Sequence, residues 1–319
     1  NCAIWPQRWI YPKACTACAL IGRVTKKRKV ENMTTGFFWD ESCFWHGGGN
    51  YANMMPVQGL VQPMVNGGLP ESPESKRRFK NLLDITGMSR ELAMQGEVPA
   101  SREDLLRVHP AVMLDHFKAM SDAGGGEIGL RCPFGAGGYE IAAQSVGLSM
   151  SALSAVLRGE LRNAYALSRP PGHHCTQDQP MGFCLMANIA IAIEAALAGG
   201  LAKRVAVLDW DVHHGNGSQC LAEVDGRVIF ASMHQSPLYP GTGGAGETGL
   251  NGNVVNVPLL AGTAGIAWRE AFARDVMPAL TAFQPEFIFV SAGFDAHERD
   301  PAGGLALLEA DFAWAATAL

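Results

Sequence analysis

The sequence predicts an α/β fold in which helices cover both faces of a mostly parallel sheet. In the second half of the chain, short apolar runs typical of buried strands alternate with longer segments of helical periodicity. Such alternation favours parallel strands, because each helix carries the chain back across one face of the sheet. The sequence shows no internal repeat and no low-complexity linker, so we expect one folded domain.

The predicted elements follow one another in that order. Strands are expected at residues 164–167, 204–208, 228–233, 254–257 and 287–291. Helices are expected at residues 75–88, 101–123, 140–157, 184–198 and 264–283. Pro110 should divide the second helix and Pro278 should break or kink the last, because proline removes a backbone donor. Ser101 and Asp104 resemble a capping box, and residues 37–41 are expected to contribute an edge strand.

The composition is that of a globular protein with an ordinary core. Of the 319 residues, 48% are hydrophobic and 17% are charged. The formal net charge of -5 and the lack of a long basic face argue against a nucleic-acid partner. No apolar run is long enough to suggest a membrane span. The eight cysteines show no framework spacing, which favours a reducing compartment, so we expect a cytoplasmic protein.

The first 32 residues differ from the rest of the chain. Cys15 and Cys18 could begin a zinc knuckle, but no second ligand pair follows at a suitable spacing. The basic run at residues 26–29 resembles a nuclear-import signal, although such short matches are frequent by chance. Met33 is a plausible natural start. We therefore expect a disordered leader over residues 1–32 and a folded domain over residues 33–319.

The strand expected at residues 204–208 leads into the most informative stretch, Asp209-Trp-Asp-Val-His-His-Gly-Asn-Gly217. Asp211 and His213 are two residues apart, so in an extended segment both side chains point to one face. A carboxylate and an imidazole at a strand end are suitable ligands for a catalytic zinc ion. The alternative is that these polar residues only cap the helix that follows, which would not require two consecutive histidines.

Asp295 follows the last predicted strand and would complete a site of three ligands. Three protein ligands leave a position open for water and substrate, as in catalytic zinc sites, and Fe(II), Co(II) or Mn(II) could substitute. By itself, Asp295 could equally cap the next helix.

The pair His173 and His174 follows a stiff Pro-Pro-Gly turn that should fix the direction of the imidazoles. One histidine could take a proton from water while the other donates a proton to the leaving group. Asp209 is the expected partner of one histidine and Asn216 of the other. A carboxylate stabilises an imidazolium better than an amide does, so the two histidines should titrate apart.

Four motifs together resemble the zinc-dependent histone deacetylase superfamily. They are Arg169-Pro-Pro-Gly-His-His174, Gly182-Phe-Cys184, the stretch from Asp209 to Gly217, and Ala292-Gly-Phe-Asp-Ala296. The likeness is greatest to class II and bacterial histone deacetylase-like amidohydrolases, including acetylpolyamine amidohydrolases. It implies the arginase/deacetylase fold with a central eight-stranded parallel sheet. It also implies hydrolysis of an N-acyl amide, usually acetyl-lysine or a related acetylated amine, to a free amine and acetate.

The resemblance also implies roles for individual residues. The Zn²⁺ ligands would be Asp211, His213 and Asp295, with His173 and His174 as the general base and acid pair, Asp209 orienting His173, and Asn216 beside His174. A structural K⁺ would be bound by Asp209, the backbone oxygens of Asp211, His213 and Met233, and the Ser232 hydroxyl. The substrate channel would be formed by Phe183 and Tyr239 as aromatic walls, with Gly182 against them and Ala302 at the rim. Ala302 replaces a larger rim residue and carries no charge, so polyamine specialisation is not expected.

One expected part of the family pattern is not found in the sequence. The family's catalytic tyrosine lies in a Gly-Gly-Tyr loop after a further strand, whereas this sequence ends at Leu319 in the preceding helix. We expect that the chain is a piece of a longer protein whose C-terminal part is missing. Two alternatives stay open, namely an arginase-type ureohydrolase with two manganese ions and a domain that binds acyl-lysine without turnover.

Overall fold

The computed structural model describes residues 22–23, 34–47, 51–52, 55–56, 71–96 and 98–319. Most of the expected leader lies outside these ranges, including the Cys15 and Cys18 pair and the basic run at residues 26–29. Gly22–Arg23 is the exception, because it pairs antiparallel with Phe287 and Ile288. These two residues therefore join the domain that we expected to begin at residue 33.

The described residues form strands and helices in the following order. The strands are β1 (Gly22–Arg23), β2 (Thr35–Phe38), β3 (Tyr51–Ala52), β4 (Met55–Pro56), β5 (Ala93–Gln95), β6 (Gly125–Glu127), β7 (Pro133–Gly135), β8 (Asn163–Ala166), β9 (Val205–Asp209), β10 (Val228–Gln235), β11 (Val254–Leu259) and β12 (Phe287–Ser291). The α-helices are α1 (Pro73–Ile85), α2 (Arg102–Leu105), α3 (Ala111–Asp122), α4 (Gly138–Leu157), α5 (Asn188–Ala198), α6 (Asn216–Val224), α7 (Gly265–Ala271), α8 (Met277–Phe283) and α9 (Glu309–Ala318). Short 3-10 turns lie at Glu41–Trp45 and Met88–Arg90, and a π turn lies at Phe272–Val276.

The strands form one larger and one smaller sheet, with two short antiparallel pairs beside them. The larger sheet has the order β1-β12-β9-β10-β11, and all its pairs are parallel except β1 with β12. The smaller sheet has the parallel order β5-β2-β8. Because β9, β10 and β12 run in the same direction, the loops after Asp209, Gln235 and Ser291 all leave one edge of the sheet. Ligand sites lie at that edge in open parallel sheets.

The sheet differs from the expectation in two respects. We expected one eight-stranded parallel sheet, whereas the described residues divide into sheets of five and three strands, with β1 beside β8 but no ladder between them. We expected an edge strand near residues 37–41, but β2 lies between β5 and β8. The central position agrees with the burial of Phe37 and Phe38. Ala93–Gln95 gave no strand signal, because it contains no β-branched or aromatic residue.

Both faces of the larger sheet are buried, as the alternation of strands and helices predicts. Successive residues of a strand point to opposite faces. On β9, Val205 and Val207 pack in one core cluster with Ile193 of α5. Ala206 and Leu208 pack in a second cluster that includes residues of α7, α8 and α9. The strand before the candidate site is thus fixed from both sides by apolar packing.

Helix boundaries follow local chemistry. Pro110 separates α2 from α3, and Ser101 and Asp104 form the expected capping box. The helix expected at 184–198 begins later, at Asn188, and it ends at Gly199 as expected. In the last predicted helix, the π turn comes directly before Met277–Phe283, whose first turn contains Pro278. Proline lacks a backbone donor, so the regular hydrogen-bond pattern is interrupted there.

Helix α4 is long and apolar enough to span a membrane, contrary to the expectation that no apolar run suggests a membrane span. By length and composition alone, this 20-residue helix could cross a membrane. Most of it is buried against α5, α3 and β8, which is the usual position of an apolar core helix. Burial inside the protein therefore explains its composition.

We predict that Asn253→Ala lowers the free energy of unfolding by about 2 kcal/mol, since buried carbonyl groups would lose their donor. The buried Asn253 side chain donates from Nδ2 to the backbone oxygens of Ala222 at 2.6 Å, Asp225 at 3.1 Å and Val228 at 2.6 Å. These contacts join the end of α6 to the start of β10. Urea unfolding measures the change.

Asn251→Ala is the matched control for this prediction, because Asn251 is exposed two residues away. The control should change the unfolding free energy by less than about 0.5 kcal/mol. Equal losses in the two variants would contradict the assigned role of Asn253.

Candidate metal centre and catalytic site

The candidate site begins where β9 ends, in a turn that fixes its own side chains. Asp209 Oδ1 accepts a hydrogen bond from the backbone N–H of Asp211 at 3.1 Å. Asp211 Oδ1 accepts one from the backbone N–H of His213 at 2.8 Å. Asp side chains commonly bond the backbone two residues ahead in this way. The local sequence therefore sets the directions of both carboxylates.

Asp211, His213 and Asp295 converge at this edge of the sheet. One ligand atom from each lies within 4.8 Å of the other two. His213 Nδ1 is 3.0 Å from Asp211 Oδ1 and 3.0 Å from Asp295 Oδ2. Asp295 arrives from the loop after β12, and its Oδ1 accepts a hydrogen bond from the Val212 N–H at 2.8 Å. The structure thus brings the three residues predicted as metal ligands into one cluster.

The electrostatics of the cluster suit a cation. Burial alone would raise the pKa of Asp211, but the positive charges of His173 and His213 lower it. Burial lowers the pKa of His213, whereas hydrogen bonds to Asp211 and Asp295 outweigh burial and raise that pKa to about 10. Burial and the Asp211 charge raise the pKa of Asp295 to about 6. Two carboxylates around one imidazole form a donor set of oxygen and nitrogen that fits a divalent metal.

Gly293 leaves the space that the cluster needs. A Cβ at this position would overlap with the Asp211 carboxylate. The backbone of Gly293 does not have a positive φ, so the requirement is for space and not for an unusual conformation. The glycine before Phe294 and Asp295 is therefore part of the candidate metal site.

The two histidines lie beside the cluster with different partners. His173 Nδ1 donates to Asp209 Oδ2 at 3.0 Å, and His174 Nδ1 donates to Asn216 Oδ1 at 2.9 Å. Their ring centroids are 4.0 Å apart. His173 Nε2 lies 3.8 Å from Asp211 Oδ2. Because Nδ1 of each ring is engaged, Nε2 is the atom that can exchange protons with a substrate.

The different partners separate the two pKa values. Burial lowers the pKa of His173, but the Asp211 and Asp209 carboxylates outweigh burial and raise it to about 9. Burial and the neighbouring His173 lower the pKa of His174 to about 2. The arrangement therefore holds a proton on His173 while His174 is neutral.

Contacts with buried residues fix the turn that carries the two histidines. The Pro170 carbonyl accepts hydrogen bonds from Ser145 Oγ at 2.8 Å and Asn188 Nδ2 at 3.1 Å. The buried Arg169 side chain pairs with Glu71 at 2.9 Å and also donates to the Cys43 carbonyl at 3.1 Å. Helices α4 and α5 thereby position the histidine pair.

The residues expected in a substrate channel meet the histidines in part. The Tyr239 ring is nearly perpendicular to the His174 ring, with 5.1 Å between their centroids, and its centroid is 6.3 Å from that of His213. A Cβ on Gly182 would lie 2.5 Å from His174 Cδ2 and 3.0 Å from Tyr239 Cε1, and Gly182 has a φ of +52°. Phe183 follows with a φ of +67°. The Tyr239 hydroxyl is buried without a hydrogen-bond partner among the described residues.

Ala302 lies in the loop between β12 and α9. Its backbone N–H donates to Asp300 Oδ1 at 2.9 Å. The following Gly303 packs against Val212, since a Cβ on Gly303 would contact that side chain. The place of Ala302 at the channel rim stays a prediction.

Three of the residues expected to bind potassium, Asp209, Ser232 and Met233, lie on the adjacent strands β9 and β10. Ser232 on β10 is in register with Asp209 on β9, and both side chains are fully buried. Met233 is also buried. The Ser232 hydroxyl is hydrogen-bonded to His234 Nδ1 at 2.9 Å.

Sequence reasoning missed a polar network next to the site that is centred on the buried His214 and Gln219. His214 is hydrogen-bonded to Thr242 Oγ1 at 2.8 Å and donates from Nε2 to Gln219 Oε1 at 2.7 Å. Gln219 Nε2 donates to Glu247 Oε2 at 2.9 Å, and Glu247 accepts from the N–H of Gly243 at 3.1 Å. His214 comes one residue after His213, so an extended segment turns it away from the cluster. The position of His214 one residue after His213 was the sequence feature from which its separate environment could have been predicted.

Known proteins of similar sequence and structure carry a deacetylase description. The family model described as histone deacetylase domain matches residues 69–319. The chain is 54% identical over 271 residues to the histone deacetylase-like amidohydrolase of Pseudomonas aeruginosa, with 84% of the chain and 71% of the relative covered. It is 37% identical over 252 residues to a probable deacetylase of Archaeoglobus fulgidus, with 76% of the chain and 70% of the relative covered.

Among solved structures, the HD domain of HDA15 superposes with a TM-score of 0.81 and 30% sequence identity, covering 90% of this chain and 80% of that one. The mixed arrangement of helices and parallel sheets agrees with the arginase/deacetylase fold that the four motifs implied. The chain therefore belongs to the histone deacetylase domain family.

Proposed function

We propose that this deacetylase-family chain hydrolyses an N-acetyl or related N-acyl amide in a zinc-dependent reaction. The proposed substrate is acetyl-lysine in a protein or a related acetylated amine. The observation that carries the proposal is the position of the histidine pair, whose two differently titrating rings adjoin a cluster of three potential metal ligands. An acid, a base and an electrophilic site in one cleft are the groups that amide hydrolysis needs.

Asp211, His213 and Asp295 would hold the metal ion. Zn²⁺ bound there would supply a Lewis acid that polarises the amide carbonyl and acidifies water. A single cluster of three such ligands occurs among the described residues, which favours one catalytic ion over the two of an arginase-type enzyme. Metal analysis tests this choice, and two ions bound per chain at this site would support the ureohydrolase alternative.

The histidines would move the protons. Neutral His174 presents an unprotonated Nε2, because its Nδ1–H is committed to Asn216. It is therefore suited to accept a proton from water. Protonated His173, stabilised by Asp209, is suited to donate a proton from Nε2 to the leaving nitrogen. Both rings follow the Pro-Pro-Gly turn, which hydrogen bonds from Ser145 and Asn188 to the Pro170 carbonyl hold in place.

Tyr239 and Phe183 would form the walls around the acylated chain. The Tyr239 and His174 rings are nearly perpendicular with 5.1 Å between their centroids, so an extended alkyl chain along this wall would end at the proposed proton donor and acceptor. Burying each methylene group contributes about 0.8 kcal/mol to binding. This supports a substrate with a long, flexible amine side chain.

A structural potassium ion at Asp209 is a separate proposal. Its support is the pairing in register of Asp209 with Ser232, together with the complete burial of both side chains. The other ligands would be the backbone oxygens of Asp211, His213 and Met233. A buried cation would offset the cost of burying the Asp209 carboxylate.

We predict that His173→Ala and His174→Ala each lower hydrolysis of a fluorogenic acetyl-lysine substrate by about 10²- to 10⁴-fold, because each removes a proton-transfer group. Zinc content should stay near that of the unaltered chain. His116→Ala is the control, since His116 is exposed on α3, and should leave the rate unchanged. A chelator should abolish the activity of the unaltered chain.

Unchanged rates in both histidine variants would contradict the assigned roles. Zinc binding without turnover by the unaltered chain would instead favour the alternative of an acyl-lysine-binding domain.

Gly293→Ala should weaken zinc binding by about 10- to 100-fold, as other changes around metal ligands do. The added Cβ would displace the Asp211 carboxylate, while the backbone conformation accepts alanine. Competition with a zinc-sensitive dye measures the affinity. Gly246→Ala is a matched control, because a Cβ at Gly246 meets no atom within 4 Å. Equal zinc affinity in both variants would argue against the proposed metal position.

Zinc affinity should rise about tenfold per pH unit between about pH 6 and pH 9, because the metal must displace one proton from His213. The sign follows from the raised pKa of His213, which is about 10 and keeps the ring protonated below that pH. Below about pH 6 the dependence should steepen, because Asp295 also takes up a proton there. Dye competition at several pH values, corrected for protonation of the dye, measures the slope. A flat profile would contradict the ligand assignment.

A further inference from the structure

Arg131 lies at the outer end of the aromatic wall. Its guanidinium carbon is 5.7 Å from the centroid of the Tyr239 ring, and the same ring reaches His174 at 5.1 Å. Arg131 is exposed, Tyr239 is half-buried and His174 is buried. The three residues therefore mark a path from solvent to the candidate catalytic site, with Arg131 at its entrance.

The backbone of Arg131 is attached to the other aromatic wall. The Phe183 N–H donates to the Arg131 carbonyl at 3.0 Å, and the Gly182 N–H donates to the Leu130 carbonyl at 2.9 Å. Arg131 and Phe183 both have a positive φ, +58° and +67°. This conformation is unfavourable for residues other than glycine and persists where surrounding contacts enforce it. Arg131 therefore contacts both walls, because its backbone is hydrogen-bonded to Phe183 and its side chain lies over the Tyr239 ring.

The charge of Arg131 has no carboxylate partner among the described residues. No ion pair joins it to Glu127, the acidic residue on the adjacent strand β6, and Glu127 itself is exposed. The face of a tyrosine ring attracts a guanidinium but does not neutralise it. A guanidinium also presents paired N–H donors that match a carboxylate. A positive charge is therefore available at the entrance.

We propose that Arg131 is a specificity-determining residue that selects substrates by their charge next to the acylated amine. It favours acetyl-lysine flanked by acidic residues and disfavours substrates with additional ammonium groups, such as lysine-rich segments and acetylated polyamines. The physical reason is attraction or repulsion between the exposed Arg131 charge and charges that a substrate carries next to its acylated amine. The inference rests on the proposed deacetylation and concerns which acetylated amines the same site accepts.

The test compares three peptides that differ only in the residues flanking one acetyl-lysine, which are Asp, Gln or Lys. Dissociation constants are measured by fluorescence anisotropy on the zinc-loaded chain, and kcat/KM is measured in parallel by acetate release. At low salt the Asp peptide should bind about tenfold more tightly than the Lys peptide. The ratio should fall to about twofold in 0.5 M NaCl, because salt screens exposed charges.

Arg131→Met should reduce the Asp-to-Lys ratio to about twofold or less at low salt, because it removes the charge and keeps an unbranched side chain. Arg131→Lys should retain part of the preference. Arg162→Met is the matched control, since Arg162 is exposed and directly precedes β8, at the opposite edge of the strands. This control should bind the three peptides as the unaltered chain does.

Equal binding of the three peptides by the unaltered chain would overturn the proposal. A preference for the Lys peptide that the Glu127→Gln substitution removes would also overturn the proposal. Acetate release in either case would leave the proposed deacetylation intact. An Arg131-dependent preference in binding without acetate release would support the selection and contradict hydrolysis. Absence of both binding and release would overturn both proposals.

Discussion

The rest of this structure depends on holding two carboxylates, those of Asp211 and Asp295, around the imidazole of His213. Asp211 and Asp295 repel each other, and partial burial strengthens that repulsion. Each carboxylate accepts a backbone N–H, from His213 and Val212 respectively, so neither can rotate away without losing a hydrogen bond. The turn after β9 and the loop after β12 therefore hold the negative charges in place. Such an arrangement is stable when a proton or a metal cation lies between them.

The histidine pair depends on the same constraint through its charges. The Asp211 and Asp209 carboxylates keep a proton on His173, and that proton in turn suppresses protonation of His174. Two adjacent residues of the same type thus differ because one has a carboxylate partner and the other an amide. A metal ion bound by Asp211 would weaken the attraction of that carboxylate for the His173 proton. Metal binding would therefore change the protonation of the histidine pair.

Local sequence signals predicted the clustering of Asp211, His213 and the histidine pair, left Asp295 ambiguous, and gave no information on the surrounding loops. Asp211 and His213 were accessible because a two-residue spacing at a strand end has a definite geometric meaning. The histidine pair could be predicted because Pro-Pro-Gly indicates a rigid turn. By contrast, Arg131 and Glu247 act through contacts between loops distant in sequence, and spacing does not encode such contacts. Strand β5 was missed for a different reason, since its residues have low strand propensity and pair only because β2 provides the edge.

The close packing around Gly293 and Gly182 has a consequence for redesign of the site. One glycine leaves no room beside a potential metal ligand, and the other leaves none beside His174 and Tyr239. A side chain added at either position would displace Asp211 or His174 from its place in the candidate site. Substitutions at the exposed Arg131 would leave these close contacts intact. Changes of substrate preference on this scaffold are therefore most easily accommodated at the entrance, away from the two glycines.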